Sequence, residues 1–345
     1  MRADTWYIRV ASTPEVGGGH VSRCRVLGTA LSQHVPIHFI LDSNGGAWRK
    51  QLTKEGFDVT LAGRAIDFRG AACILDGYAF GASECEAWRK CVDLVAIFCD
   101  SSSPVASADV VIDIAGGSSS VSEPRQHVLA GLNYSLVSQE FTNLEPREPN
   151  GVNHVVVCFG ARDTKNGTLL TLIALEEIVA TNPNICVTVA IGAAAPHLSS
   201  LRHFVSKSPM RVRIAVNESN MPELLNSADI AVGAGGVGLL ERMASGVPSI
   251  TSCIADNQRA MVEQAAKGGG TIAVDPLECL TVEKLQRAVC QLMEDSALRA
   301  SMVARGRQLI DAQGGGRLAT ALMEVLRSKQ ARLMPSSFKE LSASV

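Results

Sequence analysis

The sequence predicts an α/β protein with two domains, each built on a parallel β-sheet that helices cover on both faces. Short apolar runs rich in β-branched residues alternate with helical stretches along the chain. The same alternation begins again after a polar segment over 140–153 that carries Pro146 and Pro149. The length of 345 residues also exceeds the usual size of a single hydrophobic core.

The first domain is expected to span residues 1–145. Its strands are predicted at 7–10, 37–41, 72–75, 95–98 and 110–112, and its helices at 21–33, 47–55 and 82–90. In such sheets, ligands collect beyond the carboxyl ends of the strands. The polar residues at those ends are Asp42, Asp76, Asp100 and Asp113. An aspartate after a strand is often a cap or turn residue, and this is the favoured interpretation of Asp42 and Asp113.

The second domain is expected to span residues 150–330, and residues 331–345 are expected to form a flexible tail. Its strands are predicted at 155–159, 186–191, 212–215, 230–232, 249–252 and 271–274. Its helices are predicted at 168–180, 221–227, 239–244, 259–267, 282–293, 297–310 and 317–329. The two halves therefore share one architecture.

Composition limits the partners of the chain. Apolar residues make up 46%, charged residues 19%, and the formal net charge is -2. No lysine or arginine cluster stands out in the sequence, which argues against nucleic acid as the main partner. No apolar run has membrane-spanning length and no signal-peptide pattern begins the chain, so no membrane partner is expected. The ten cysteines form no C-x-x-C pair, which favours reduced thiols in a cytoplasmic protein and argues against a metal site. No cofactor is expected. The oligomeric state is left open, a monomer included.

A glycine turn follows the first predicted strand. Residues 15–24 read Glu-Val-Gly-Gly-Gly-His-Val-Ser-Arg-Cys and lead into a helical pattern. Glycines at a helix start let a ligand approach the backbone and its N–H groups, so Gly18 and Gly19 are predicted to bind substrate. An imidazole exchanges protons near neutral pH, which makes His20 a candidate for proton transfer. A tight turn with a histidine at the helix start explains the same residues equally well.

A second glycine loop, Gly-Ala-Gly-Gly-Val-Gly, follows a short apolar run in the other half. Gly235 and Gly236 in this loop are predicted to supply N–H donors to a diphosphate at a helix start. Glu241, about one turn into that helix, is suited to accept hydrogen bonds from a ribose diol. Asn257 and Gln258 follow the next strand, and their amides suit sugar hydroxyls and phosphate oxygens. The structural alternative is a glycine turn followed by a capped helix.

In order along the chain, these motifs resemble those of the PseG family. These proteins are the UDP-2,4-diacetamido-2,4,6-trideoxy-β-L-altropyranose hydrolases of pseudaminic acid biosynthesis, similar in fold to the MurG glycosyltransferases. In the first half the resemblance lies in the glycine–histidine motif at 14–24, in Asp-Gly-Tyr at 76–78 and in Gly-Leu-Asn-Tyr-Ser-Leu at 131–136, the family's closing strand. In the second half it lies at 220–224, 228–229, 233–236, 241–242, 246–249 and 255–258.

The resemblance covers roughly residues 7–274. It implies a GT-B fold, in which two Rossmann-like domains have an active site in the cleft between them. It further implies that the second domain holds UDP, that the sugar lies near the first, and that the reaction is hydrolysis at the anomeric carbon without a metal. Carried over by motif, the site residues are His20 as the catalytic histidine, Tyr78 on the sugar side, Glu241 at the ribose, Asn257 and Gln258 at the diphosphate or sugar, and Arg23 and Gly160 as further substrate ligands.

Three places depart from the family's pattern. Ala161 stands where the family usually has a second glycine, Val237 where a serine or threonine is common, and Cys99-Asp100 where it has paired aspartates. The sequence therefore leaves three functions open. The favoured one is a UDP-sugar hydrolase, and the alternatives are a GT-B glycosyltransferase with a UDP-sugar donor and a non-catalytic nucleotide-sugar-binding protein.

Overall fold

The computed structural model describes residues 4–13, 18–42, 45–62, 69–99, 107–116, 126–145 and 151–333. The chain divides into two compact units. The first unit contains the described residues up to Ile114, those of 118–136 and those from Gly315 onward, and the second contains those of 115–117 and 137–314. In this part of the chain each unit is organised around one parallel sheet.

The first unit begins with alternating strands and helices. In chain order they are β1 (Trp6–Val10), α1 (Gly19–Ser32), β2 (Ile37–Leu41), α2 (Gly46–Lys54), β3 (Asp58–Leu61), β4 (Gly70–Asp76), α3 (Ala82–Arg89), β5 (Val92–Phe98), β6 (Val110–Asp113) and β7 (His127–Ala130). The described strands form a seven-stranded sheet in the order β3-β2-β1-β4-β5-β6-β7. Its central strands are buried along almost their whole length, as expected for apolar strands with helices on both faces.

The second unit repeats this architecture. Its elements are β8 (His154–Cys158), α4 (Gly167–Thr181), β9 (Cys186–Ile191), α5 (Leu198–Lys207), β10 (Arg211–Val216), α6 (Met221–Asn226), β11 (Ile230–Ala234), α7 (Val237–Ala244), β12 (Ser249–Ser252), α8 (Arg259–Lys267), β13 (Ile272–Ala273), α9 (Val282–Glu294) and α10 (Ser296–Leu309). Within the described residues the sheet has six strands, in the order β10-β9-β8-β11-β12-β13. Apart from the closing strand expected at 131–136, each strand predicted for the two halves is therefore present.

Two details of the first unit differ from the predictions. The segment 131–136, expected to be its closing strand, is not one: the strand is β7, and Leu132–Tyr134 forms a 3-10 turn. Gly131 has φ of 104°, a left-handed conformation that ends the strand at this residue. The edge strand β3 was not predicted, because its half-buried residues lack a continuous apolar run. Asp100 and residues 146–150 of the polar segment over 140–153 lie outside the described residues.

The last helix, α11 (Gly314–Leu333), belongs with the first unit from Gly315 onward. Nζ of Lys329 lies 2.7 Å from Oδ1 of Asp109, and Nε2 of Gln330 donates to Oδ2 of Asp93 at 3.0 Å. The prediction of one domain over 150–330 is therefore wrong at its C-terminal end, because an amphipathic pattern does not say which sheet a helix will cover. Residues 331–333 of the predicted tail are helical, and 334–345 lie outside the described residues.

Candidate functional site

In the first unit, His20 lies in the first turn of α1, the helix that follows β1. The sheet places Asp76, the last residue of β4, beside Val10 at the end of β1. The carboxyl end of β4 therefore meets the start of α1. Nδ1 of His20 lies 2.6 Å from Oδ1 of Asp76, and the two side chains are 5% and 0% exposed. The sequence predicted His20 but did not predict Asp76 as its partner, because the order of the strands was needed to bring them together.

Asp76 also binds the side chains of the next turn of α1. Nε of Arg23 donates to Oδ2 at 2.6 Å and Nη2 donates to Oδ1 at 2.5 Å, while Sγ of Cys24 donates to Oδ2 at 3.2 Å. Burial alone would raise the pKa of Asp76, but the charge of Arg23 and the hydrogen bonds from Arg23 and His20 lower it to about 2. Asp76 is therefore an ionised acceptor, which holds the proton on Nδ1 of His20 and leaves Nε2 as a proton acceptor.

Arg23 is thus placed differently from the prediction that it binds substrate. Its guanidinium forms the paired bonds to Asp76, lies 3.2 Å from Nδ1 of His20, and stacks with Cζ 4.5 Å from the ring centre of Phe98. These contacts give Arg23 the role of fixing the Asp76 carboxylate. A substrate contact from Arg23 remains a proposal.

Aromatic rings border the start of α1. The ring of Tyr78, 66% exposed, meets the ring of His20 edge-on with centroids 4.6 Å apart. The ring of Trp48 lies so close to Gly18 that a Cβ there would stand 2.9 Å from Cζ2. Gly18 precedes the helix without a side-chain cap, and Gly19 is the first helical residue. The predicted residues Gly18, Gly19, His20 and Tyr78 are therefore brought together, whereas 14–17 lie outside the described residues.

Asp42 has a structural role, as favoured from the sequence. Its carboxylate accepts hydrogen bonds from Nη2 of Arg9 and from the backbone N–H of Ser12, both at 2.7 Å. Its own N–H donates to Oγ of Ser12 at 2.8 Å. These bonds tie the loop after β2 to the loop after β1. Asp113 is buried at the end of β6.

In the second unit, Gly235 and Gly236 connect β11 to α7. A Cβ on Gly235 would overlap with Cγ2 of Val262, so glycine is required at this position. Gly236 precedes α7 and no side chain caps the helix there. Gln258 lies against this loop: a Cβ on Gly236 would be 3.4 Å from its Nε2, and its Oε1 accepts from the N–H of Ile254 at 3.0 Å. Asn257 is half-buried beside Gln258 in the 3-10 turn Asp256–Gln258, and Gln258 is the amide that lies against the loop.

Glu241 is half-buried about one turn into α7. Its Oε2 lies 4.0 Å from the place that a Cβ on Gly238 would take, so the carboxyl group points back toward the start of the helix. Burial raises the pKa of Glu241 to about 7, against the opposing charge of Arg242. The group therefore changes its charge near neutral pH.

The other glycine loop of this unit, after β8, is arranged differently. The carboxylate of Asp163 caps α4 by accepting from the N–H groups of Gly167 at 2.8 Å and Thr168 at 2.9 Å. Gly160 has φ of 90° and serves the turn, and the carbonyl oxygen of Ala161 accepts from the N–H of Gly192 at 2.8 Å. A carboxylate already stands at the start of α4, whereas no side chain caps α7. Substrate binding at Gly160 remains a proposal.

Neither unit offers an evident metal centre in its described residues, where no three His, Cys, Asp or Glu side chains come together as ligands. Across the same residues, no helix is both long and apolar enough to span a membrane.

Comparison with known proteins identifies the fold. No family model matches the sequence. The spore coat polysaccharide biosynthesis protein SpsG of Bacillus subtilis is 26% identical over 172 residues, which are 50% of this chain and 50% of that protein. The chain thus matches about half the length of this curated relative.

Solved structures match over nearly the whole chain. The match to MurG of Acinetobacter baumannii spans 93% of this chain and 99% of that protein, with a TM-score of 0.62 and 14% sequence identity. The match to the calicheamicin glycosyltransferase CalG4 spans 97% of this chain and 100% of that protein, with a TM-score of 0.61 and 15% sequence identity. A glycosyltransferase from Rickettsia africae covers 97% and 100% with a TM-score of 0.67 at 13% identity. The predicted fold is confirmed: the chain is an α/β protein with two parallel-sheet, Rossmann-like domains of the GT-B class.

Proposed function

We propose that this protein is an enzyme that transfers a glycosyl group from a nucleoside-diphosphate sugar to a hydroxyl group, with His20 as the general base. The observation that carries the proposal is the buried contact between Nδ1 of His20 and Oδ1 of Asp76. A histidine whose Nδ1 proton is held by an ionised carboxylate is set to accept a proton at Nε2. A turn-capping histidine would not need this buried partner.

The chemistry follows from that arrangement. Nε2 of His20 removes the proton of an incoming hydroxyl as its oxygen bonds to the anomeric carbon. The bond from that carbon to the diphosphate oxygen breaks, and the nucleoside diphosphate leaves with the electron pair. The Asp76 carboxylate stabilises the imidazolium that forms. General base catalysis of this kind contributes roughly 10²–10⁴-fold to a rate.

The second unit supports the donor half of the proposal. The uncapped start of α7 presents N–H groups and the positive end of the helix dipole to the leaving diphosphate. Glu241 accepts hydrogen bonds from the ribose diol, and the amides of Asn257 and Gln258 bind phosphate or sugar oxygens. We take UDP as the nucleotide, because these residues match motifs of the UDP-sugar enzymes that the sequence resembles.

We favour an alcohol as the acceptor, which makes the protein a glycosyltransferase. Two of the structures that match nearly the whole chain, CalG4 and the Rickettsia africae protein, carry the name glycosyltransferase. The partial relative is named for polysaccharide biosynthesis.

Water is the second candidate acceptor, which would make the protein a hydrolase of a UDP-2,4-diacetamido-2,4,6-trideoxy sugar. The ordered series of motifs supports it, including Asp76 and Tyr78 on both sides of Gly77. In that case the oxygen of water takes the place of the acceptor hydroxyl, and the role of His20 is unchanged.

One assay tests the proposal and separates these acceptors. The protein is incubated with a panel of UDP-sugars, including UDP-2,4-diacetamido-2,4,6-trideoxy-β-L-altropyranose, and chelator is present throughout. NMR follows UDP, free sugar and glycosylated product, with and without added alcohol acceptors. Transfer to an alcohol supports the glycosyltransferase, and release of free sugar without an acceptor supports the hydrolase. Binding of UDP with no turnover of any sugar would contradict the proposal and favour the non-catalytic binding protein.

A further inference from the structure

Arg242, which follows Glu241 in α7, is a fully buried cation whose hydrogen-bond acceptors are all neutral. Nη2 donates to the carbonyl oxygen of Ala234 and to Oγ1 of Thr251, both at 3.0 Å, and Nη1 donates to Sγ of Cys158 at 3.5 Å. Nε, also buried, donates to no described residue. With the rest of the described chain, the guanidinium forms no ion pair.

The guanidinium lies at the bend between β11 and α7. A Cβ on Gly233 would be 2.7 Å from Nη1, and a Cβ on Gly238 would be 3.6 Å from the same atom. Ala234, whose carbonyl oxygen accepts from Nη2, directly precedes Gly235. The contacts with the end of β11 and with the first turn of α7 therefore place the charge behind the glycine loop, that is, on the side of Gly235 and Gly236 that faces the protein interior.

A chain of hydroxyl groups fixes the guanidinium in this position. Oγ1 of Thr251, which accepts from Nη2, lies 2.8 Å from Oγ1 of Thr271. Thr271 in turn donates to the carbonyl oxygen of Ser249 at 2.8 Å. Each hydroxyl proton thus points away from the cation. The network orients Arg242 without neutralising its charge.

Burying a charge without an opposite charge is costly, and its field is only weakly screened inside a protein. Glu241 is the adjacent carboxyl group, and burial raises its pKa to about 7, so it neutralises Arg242 only in part near neutral pH. An anion at the uncapped start of α7 would supply the missing negative charge.

We propose that Arg242 is a positioning residue that places a positive charge behind the glycine loop and so makes the second unit select ligands that carry a diphosphate. The inference rests on the proposed function, since the ligand is taken to be a nucleoside diphosphate. Arg242 acts through the loop and does not itself touch the ligand. Its charge favours the bound diphosphate and leaves the affinity for the nucleoside part unchanged.

The test compares the dissociation constants of UDP and uridine by calorimetry for the full chain and three variants. Arg242→Gln keeps an N–H donor for Ala234 but removes the charge, and Arg242→Lys restores a charge. Arg299→Gln removes the charge of another buried arginine of the same unit, in α10, and is the matched control. We expect Arg242→Gln to weaken UDP binding by about tenfold to a hundredfold, with uridine within twofold of the wild type. Arg242→Lys recovers most of the UDP affinity, and Arg299→Gln retains it.

A second measurement does not depend on the folding of Arg242→Gln. In the wild-type chain labelled with ¹⁵N-arginine, the Nε resonance of Arg242, assigned from its loss in Arg242→Lys, is expected to shift with UDP and not with uridine.

The role of Arg242 would be overturned if Arg242→Gln weakened the binding of UDP and uridine equally, or if the Nε resonance did not shift when UDP is added. Either result would leave the nucleotide site in place. If the wild type bound none of UDP, dTDP, GDP, ADP or CDP, the proposed function would fail and this inference with it.

Discussion

Nδ1 of His20 and Oδ1 of Asp76 are 2.6 Å apart in the interior of the first unit. Because Arg23 and the hydrogen bonds to Asp76 keep this carboxylate ionised, it fixes one tautomer of His20. The pair therefore couples the carboxyl end of one strand to the first turn of one helix, and the proton-accepting nitrogen is determined by the fold.

The first prediction concerns that tautomer. Asp76→Asn replaces the ionised acceptor by a neutral amide, which permits the proton to move to Nε2 of His20. We expect kcat to fall by about 10²–10⁴-fold, with UDP affinity unchanged. Steady-state kinetics with the UDP-sugar that the NMR assay identifies provide the measurement. Asp42→Asn, at the end of the neighbouring part of the sheet, is the control and should retain kcat within a few fold. An equal loss in both variants would point to damage to the sheet and count against the pair.

The second prediction concerns the stability of the first unit in acid. The pKa of Asp76 is lowered from 3.8 to about 2, so the carboxylate stabilises the folded state above about pH 4. That contribution, about 2 kcal/mol, is lost as the pH falls from 4 toward 2. Tryptophan fluorescence reports on this unit alone, because Trp6, Trp48 and Trp88 all lie in it. Urea unfolding should show that the free energy of unfolding of the wild type falls over this pH range and that this loss is missing in Asp76→Asn. An equal pH dependence of the free energy of unfolding in both proteins would assign the loss to other groups.

The third prediction concerns the pH dependence of nucleoside binding. The pKa of Glu241 is raised to about 7, so the group accepts hydrogen bonds from a ribose diol as a carboxylate above that pH and loses an acceptor below it. We expect the affinity for uridine, which carries the ribose diol without the diphosphate and so does not respond to the charge of Arg242, to rise from pH 6 to pH 8. Glu241→Gln should remove this rise, and 2′-deoxyuridine should show a weaker dependence. Identical pH profiles for wild type and Glu241→Gln would exclude Glu241 as the ribose ligand.

The fourth prediction concerns the glycine loop of the second unit. Gly235→Ala brings a Cβ into Cγ2 of Val262, which we expect to destabilise the unit by about 1–3 kcal/mol and to weaken UDP binding. Adding Val262→Ala removes the overlap and should restore most of both properties. Gly236→Ala meets only the end of the Gln258 side chain and should be folded normally. Thermal unfolding and calorimetry give the two readouts, and a double variant no better than Gly235→Ala would show that the overlap is not the cause.

The sequence predicted the sheets well and the contacts between distant segments poorly. Apolar runs such as Cys186–Ile191 are buried on both faces, so their composition alone reveals a strand. The prediction of a closing strand at 131–136 was wrong, because the apolar composition of this segment does not reveal that Gly131 takes a left-handed conformation. Helix α11 contacts Asp93 and Asp109, more than two hundred residues earlier in the chain, and the periodicity of a helix does not reveal such distant contacts.

In the candidate site, too, the residues in local motifs were predicted and the contacts between distant segments were not. His20, Gly235 and Gly236 stand in local glycine motifs and were predicted from them. Asp76 became the partner of His20 only once β4 was placed next to β1. Arg242 was not predicted, since a lone arginine within a helix is ordinarily a surface residue.

The central claim is that His20 is the base of a glycosyl transfer reaction. His20→Asn keeps a polar group near Asp76 but removes the nitrogen that accepts the proton. The most direct measurement is the rate at which wild type and His20→Asn release UDP from the same UDP-sugar, together with the dissociation constant of UDP for each. We expect release to fall by at least about 10²-fold with UDP affinity within threefold of the wild type. Release at the wild-type rate by His20→Asn would contradict the account.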